Sequence, residues 1–424
     1  MFDVGDGATS VSKQTAVVVG LISGSQFVNH AFLVLLPPIL PILSTDLNVS
    51  ISMLGLAMGV QALVNTAFQL PFGYLADNYD RSIALGLSSV LGAVGAFIVA
   101  LAPGFPELVV GQVVLGIGVA GHHAAHYPLL TDATTSDTRG RAFAVYNFGG
   151  SLGFATPPVV FTVAIAVVGL TWRHAIGLLA AVGLVYAVVV TAVVAWRVDD
   201  DVSAPNVDTS RSSADESLTH RVRAELGTLL GDRGILAVAL LTLLASTANW
   251  GLTSYTVVFL TDGYDLSLSA ANLVLTGLFV VGAGSILVGG YLTDHFGGGR
   301  VLVVSYVGLT ALLVLIAAQV VPALVVIGLF LVLGGVRSIA IPARDELTER
   351  LATGDTIAKS FAIVTIGIML GNAIAPPVFG YLIQWFGVQA TFGAIAAVAL
   401  GATAVTVLAV TRFAPERRSA ASEG

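Results

Sequence analysis

Apolar runs of about 20 residues, separated by short polar turns, recur from one end of the chain to the other. The pattern predicts twelve helical spans: Thr15–Leu36, Met53–Ala76, Ser82–Ala102, Leu108–Thr131, Ala142–Val168, Ala175–Trp196, Ile235–Thr261, Ala270–Thr293, Val301–Val321, Ala323–Ala343, Ile357–Trp385 and Val388–Val410. Each is long enough to cross a hydrocarbon core of about 30 Å. No water is available there to satisfy the backbone, so the crossing elements are helices. The runs are too continuous, and too rich in Ala, Val, Leu and Gly, for the alternating strands of a barrel. Connectors are short and carry turn residues, as in Ala102-Pro103-Gly104-Phe105-Pro106.

One polar stretch interrupts this rhythm. Val198 to Gly234 begins with acidic Asp199-Asp200-Asp201 and continues in Ser, Thr, Asp and Arg. It reads as a cytoplasmic linker (198–234) between an N-terminal six-helix bundle (1–197) and a C-terminal one (235–424). Within it, His220 to Leu230 places Val222, Leu226, Leu229 and Leu230 on one face of a candidate surface helix. Internal repeats support the division. The turn Gly73-Tyr74-Leu75-Ala76-Asp77 returns 217 positions later as Gly290-Tyr291-Leu292-Thr293-Asp294. Leu47-Asn48-Val49-Ser50 returns at the same offset as Tyr264-Asp265-Leu266-Ser267, and Pro157-Pro158 returns as Pro376-Pro377. Three matches in order point to a duplicated membrane protein whose halves move against each other around a shared site.

Composition agrees with a lipid-facing chain: 56% of residues are hydrophobic and only 10% charged, too few for the surface of a soluble protein this size. The 47 glycines suit close helix–helix approach. Cysteine is absent, which excludes disulfides and thiolate metal sites. The polar N-terminus lacks the basic region and cleavage site of a signal peptide, so the first span is expected to be retained. With both termini inside, 16 of the 18 Lys and Arg residues fall in cytoplasmic segments and only Arg173 in an outer loop. That bias sets the expected orientation of a multi-pass plasma-membrane protein. Lysine is scarce and acidic residues are in excess, as the salt-loaded cytoplasm of a halophilic prokaryote favours; GC-rich coding would deplete Lys as well.

The turn after the second span matches Gly-x-Leu-Ala-Asp-x-x-Gly-Arg through Gly73, Leu75, Asp77 and Arg81, with Asp80 in place of the second Gly. Gly290, Leu292, Asp294 and Arg300 repeat it with a longer loop. Through this signature and the duplicated twelve-span pattern the chain resembles the major facilitator superfamily over nearly its whole length. Within that superfamily, Gly121-His122-His123-Ala124-Ala125-His126-Tyr127-Pro128, Arg139-Gly140-Arg141 and Pro342-Ala343-Arg344-Asp345 are similar to stretches of the fosmidomycin-resistance-like branch. The resemblance implies a secondary transporter with a central cavity lined by spans one, four, seven and ten. Drug/proton antiporters of the family carry an Arg early in span four; here the position is Gln112, so their proton coupling is not carried over.

Ionisable groups inside a bilayer are costly and each needs a reason. Every Asp and Glu falls in a loop or at a span end, whereas Arg337 lies about two turns inside span ten. An anionic substrate would supply its counter-charge, as a carboxylate, sulfonate or phosphonate. Alternatively the side chain snorkels inward, or pairs with Asp345 or a carbonyl. In span one, Ser23, Gln26, Phe27 and His30 form a stripe on one helix face. His122 and His126, four apart, share a face of span four, and His123 is turned away from them. The resemblance places His30, His126 and Arg337 around one space. A titrating His there would couple protons to an anion; otherwise these rings only hydrogen-bond between helices. Asn249, Thr253 and Thr256 make a neutral stripe in span seven. His122-x-x-x-His126 has the spacing of a zinc pair, but no carboxylate completes a set, so no metal is expected. Gly73, Asp77, Arg81, Asp294, Arg300, Arg344 and Asp345 are candidates for an inner gate, with Asp77 meeting a helix N-terminus of the other half. The proline pairs, with Gly149, Gly150, Gly153 and Gly371 beside them, are candidate bends.

The reading is therefore a secondary transporter working by alternating access on a small organic anion, with a proton or Na+ as candidate coupling ion. Efflux of amphipathic drugs or antibiotics is the alternative, and an intramembrane metalloenzyme a third. No Gly-x-x-x-x-Gly-Lys loop is present to bind ATP. No cofactor and no nucleic-acid partner are expected, and the protein is expected to act as a monomer.

Overall fold

In a computed structural model of the chain, the residues described are 12–203, 233–351 and 357–413. Among the described residues, eleven helices are long and apolar enough to cross a membrane. The longest, Ile357–Leu408, is interrupted at Gly387, whose φ of 79° is outside helical space, so it makes two crossings and the total is twelve. The first half holds spans one to six: Lys13–Leu33, Ile51–Asn78, Arg81–Leu101, Phe105–Asp132, Ser136–Phe161 and Trp172–Arg197. The second holds Arg233–Tyr264, Leu268–Phe296, Gly298–Ala318, Ala323–Leu351 and the broken pair. The amphipathic helix expected at 220–230 lies outside the described residues.

Several spans outrun their apolar stretches. Span seven starts at Arg233 and span ten runs on to Leu351, carrying its charges past the apolar layer. Polar caps fix other starts. Ser50 accepts from the Met53 N–H, Ser267 from Ala270 and Asp80 from Ser82. Asp80 thus has a local reason to replace the signature glycine. The duplication is visible in the backbone as well. Asn48 and Asp265, 217 apart, both take a left-handed φ of 51°, each two residues before a capping serine.

Both proline pairs sit inside continuous helix, so they do not terminate spans five and eleven; the break falls later, at Thr162–Val167 and at Gly387. Near the second pair, the Tyr255 hydroxyl donates to the Pro376 carbonyl at 2.5 Å. Contacts between the halves gather at the arginine-poor end. There Gly59 of span two meets Pro377 of span eleven, and the buried turn Pro37–Ile39 packs on spans seven and eight. At the arginine-rich end Leu70, Tyr74, Tyr291 and Phe296 are exposed.

Candidate functional site

Spans eight and ten approach closely because glycines face each other across their contact. A Cβ on Gly334 would lie 2.9 Å from the Leu278 Cα, and one on Gly282 2.7 Å from the Ser338 Oγ. This approach sets the Arg337 guanidinium over the Phe279 ring, 5.4 Å from its centroid. Span seven supplies the partners: Arg337 Nη1 donates to Asn249 Oδ1 at 2.5 Å and to Thr253 Oγ1 at 3.4 Å. Both are neutral, and no carboxylate pairs with Arg337 among the described residues. Asp345 pairs instead with Arg344, its chain neighbour, at 2.7 Å. Of the alternatives for Arg337, pairing with Asp345 therefore does not occur.

Arg337 and Asn249 face a cavity of about 250 Å³ lined also by Phe154, Trp250, Phe279 and Tyr306. Among the described residues of the first half, only Ser151 and Phe154 of span five reach it. Phe154 is the divider between two environments. One side stacks on Phe279, with centroids 5.5 Å apart; the other stacks on His30, at 4.2 Å. Trp250 stands at 73° to the same ring.

His30 and Gln26 lie behind that divider, joined Nε2 to Nε2 at 2.7 Å. Gly150 and Gly153 let span five close onto them; a Cβ on Gly150 would fall 2.6 Å from His30 Nδ1. His126 is buried between spans, with Ser25 Oγ 3.0 Å from Nε2 and Tyr146 Oη 3.3 Å from Nδ1. His122 Nδ1 meets Ser88 Oγ at 2.7 Å, and Ser88 in turn donates to the Gly118 carbonyl. The shared Ser88 oxygen then accepts from His122, which carries its proton on Nδ1. The two rings engage different spans, and no group of three metal-ligating side chains occurs among the described residues. Gln112 is fully buried in span four. Of the predicted binding residues, Arg337, Asn249 and Thr253 come together; His30, Gln26, His122 and His126 form a separate layer in the first half.

Among the described residues, the ion pairs of Arg81 and Arg344 stay within their own halves. Arg81 is buried and donates to Asp132 of the first half and to the Val202 carbonyl at the start of the linker, both at 2.7 Å. Asp77, Asp294 and Arg300 are exposed, and a Cβ at Gly73 would meet nothing within 4 Å. The aromatic walls, Phe154, Phe279 and Tyr306, carry no signal in the sequence, because an aromatic facing a cavity and one facing lipid read alike.

The fold is shared with a bacterial homolog of the human lysosomal transporter Spinster, solved inward-facing and occupied. The TM-score is 0.76 at 15% identity, covering 95% of this chain and 98% of that one. In sequence, the chain is 26% identical to the probable L-galactonate transporter of Escherichia coli over 59% of this chain and 55% of that protein. The match thus spans about half of that relative's length. It is 23% identical to the E. coli fosmidomycin resistance protein over 68% of each chain. The Major Facilitator Superfamily pattern matches residues 22–269 and 238–424, and the chain belongs to that family of membrane transporters.

Proposed function

We propose that the protein is a secondary transporter that carries a small organic anion by alternating access, with Arg337 as the substrate's counter-charge. One observation carries this reading: a guanidinium facing an intramembrane cavity with only neutral partners, Asn249 and Thr253. A carboxylate, sulfonate or phosphonate entering there would complete a charge-assisted pair that the protein leaves unmade. The similarity to a transporter of galactonate, itself a carboxylate, supports it. The efflux alternative for cationic drugs needs an acidic cavity, and no carboxylate lines this one among the described residues.

The arginine-rich end is taken as cytoplasmic, with both termini there, so the conformation is open inward and sealed outward. Closing that end would bring Asp77, Asp294, Arg300 and the Arg344–Asp345 pair toward the opposite half, which is where a gate belongs. The first-half histidines, next to the dividing Phe154, are the candidate proton-coupling groups.

Arg337→Gln tests the counter-charge. A hydrogen bond to a charged group contributes about 1.5–3 kcal/mol, so anion affinity should fall about 10- to 150-fold. Thermal stabilisation of the purified protein by carboxylates, sulfonates and phosphonates measures it. Equal stabilisation of variant and parent by the same anion removes Arg337 from the site.

A further inference from the structure

A proton that couples to transport must first reach the buried histidines. On the reading that these rings carry it, the hydrogen bonds around Tyr146 supply the route. His126 and Tyr146 are both 0% exposed, so bulk water touches neither. His123, on another face of span four, is half-buried. Its ring stacks on the exposed Tyr127, 11° from parallel with centroids 5.4 Å apart. Tyr127 lies within electrostatic reach of Asp345, in the second half. This face of span four therefore looks across the opening between the halves and not at lipid.

Tyr146, from span five, stands between the two rings. Its Oη lies 3.2 Å from His123 Nδ1 and 3.3 Å from His126 Nδ1. The far nitrogen of His126, Nε2, meets Ser25 Oγ at 3.0 Å. The other titratable groups within electrostatic reach of these three residues are His30, His122 and Tyr127. His30 is engaged with Gln26 and His122 with Ser88, so neither bridges His126 to the opening. Tyr146 does.

A phenol has one proton to donate. Tyr146 can give it to only one Nδ1, so the other Nδ1 must carry a proton and donate to the phenol oxygen. Two mirror-image arrangements satisfy this. In one, His123 Nδ1–H donates to Tyr146, which donates to a bare His126 Nδ1. A proton arriving from water on His123 Nε2 makes that ring an imidazolium. Its Nδ1 proton then passes to the Tyr146 oxygen while the Tyr146 proton passes to His126 Nδ1. His123 is left neutral, Tyr146 is again a phenol, and His126 holds the added proton. The hydrogen bonds now run in the mirror arrangement. We infer that Tyr146 is a proton-relay residue, passing protons between His123 at the opening and the buried His126.

The experiment is hydrogen–deuterium exchange at the ring nitrogens of the full chain in liposomes. It is read by nitrogen NMR on protein carrying isotopically labelled histidine, with His123→Gln and His126→Gln spectra assigning the two rings. Expected in the unmodified protein is one protonated and one bare Nδ1 across the pair. Both protonated, or both bare, overturns the relay without any variant. Tyr146→Phe keeps the ring and removes the hydroxyl. Exchange at His126 should then slow about 100-fold, the low end of what a positioned proton-transfer group supplies, with His123 unchanged. Exchange at His126 as fast in Tyr146→Phe as in the parent overturns the relay. The coupling reading is tested apart, by galactonate uptake into the same liposomes under a pH gradient. Uptake that is absent, or indifferent to the gradient, counts against the anion or the coupling reading, and the exchange result still decides the relay. Gradient-driven uptake that survives Tyr146→Phe undiminished overturns the relay's part in transport.

Discussion

Gly59 offers the sharpest test of how the two halves are held. A Cβ built on it would lie 2.9 Å from both Cγ and Cδ of Pro377 and 3.1 Å from the Ala373 carbonyl oxygen. Carbon pairs prefer about 3.5–4.0 Å, and neither a proline ring nor a helical carbonyl can swing aside. Gly59→Val therefore cannot be absorbed by a rotamer change; spans two and eleven must separate. Overpacking of this kind costs about 1–3 kcal/mol, and it falls on the conformation in which these spans touch. A second conformation, with this end open, would escape it. The equilibrium should then move about 5- to 150-fold toward that conformation. The chain has no cysteine, so paired spin labels can be introduced without background. Labels at Tyr74 and Tyr291, both exposed at the arginine-rich end, should draw together in the variant. Labels at Met53 and Tyr381, at the opposite end, should move apart. Gly73→Ala, where a Cβ meets nothing, is the control and should change neither distance. If Gly59→Val folds, melts lower and leaves both distributions as they were, the contact is ordinary packing and the rocking argument fails.

Two further predictions concern protons. If His30 and His126 couple proton movement, the double variant His30→Gln, His126→Gln should flatten the pH dependence of anion uptake into liposomes; an unchanged profile assigns both rings to packing alone. At the arginine-poor end, the Asp46 carboxyl is held below the usual carboxylate range, first by the hydrogen bond from Arg173 and then by that from the Trp172 indole. A depressed folded-state pKa contributes stability above the unfolded value of about 3.9, and that contribution disappears as pH falls through the folded value. Both side chains are more than a third exposed, so screening holds the gain to a fraction of about 1 kcal/mol. The melting temperatures of the parent and Asp46→Asn should therefore differ slightly at pH 7 and converge below about pH 4. A gap that stays constant with pH would show that the ion pair contributes nothing.

The spans could be read from hydropathy because lipid imposes one demand on every crossing residue, and even the break between spans eleven and twelve falls at Gly387, where the apolar pattern pauses. Span ends were less legible. Arg233 and Leu351 lie in helix because helices continue into water where the hydrophobic signal stops. Arg337 stood out by charge alone, and its neighbours Asn249 and Thr253 by a four-residue spacing in a neighbouring span. The role of the histidines is less legible, for a physical reason. Polarity marks a side chain as needing partners but does not say whether those partners are substrate or protein. For His126 they are Ser25 and Tyr146, and for His122 it is Ser88. Phe154, which separates His30 from the cavity, is one of 20 phenylalanines, and the glycines and prolines around it mark a bend and not a cavity wall.

The two halves share a backbone plan yet divide the chemistry unequally. In the first, buried polar groups answer one another: Ser88 with His122, Ser25 and Tyr146 with His126, Gln26 with His30. Most of that layer is internally partnered, although Gln26 Oε1 and His30 Nδ1 find no hydrogen-bond partner. In the second, Arg337 finds only neutral partners and still faces open space. Substrate affinity should therefore reside in the second half, with the first closing over it through one ring. Phe154 touches His30 on one side and Phe279 on the other. Any movement of span five relative to span eight must break or slide that stack. A ligand seated against Phe154, Phe279 and Arg337 would thus bias the position of one half relative to the other through direct contact, without a longer relay.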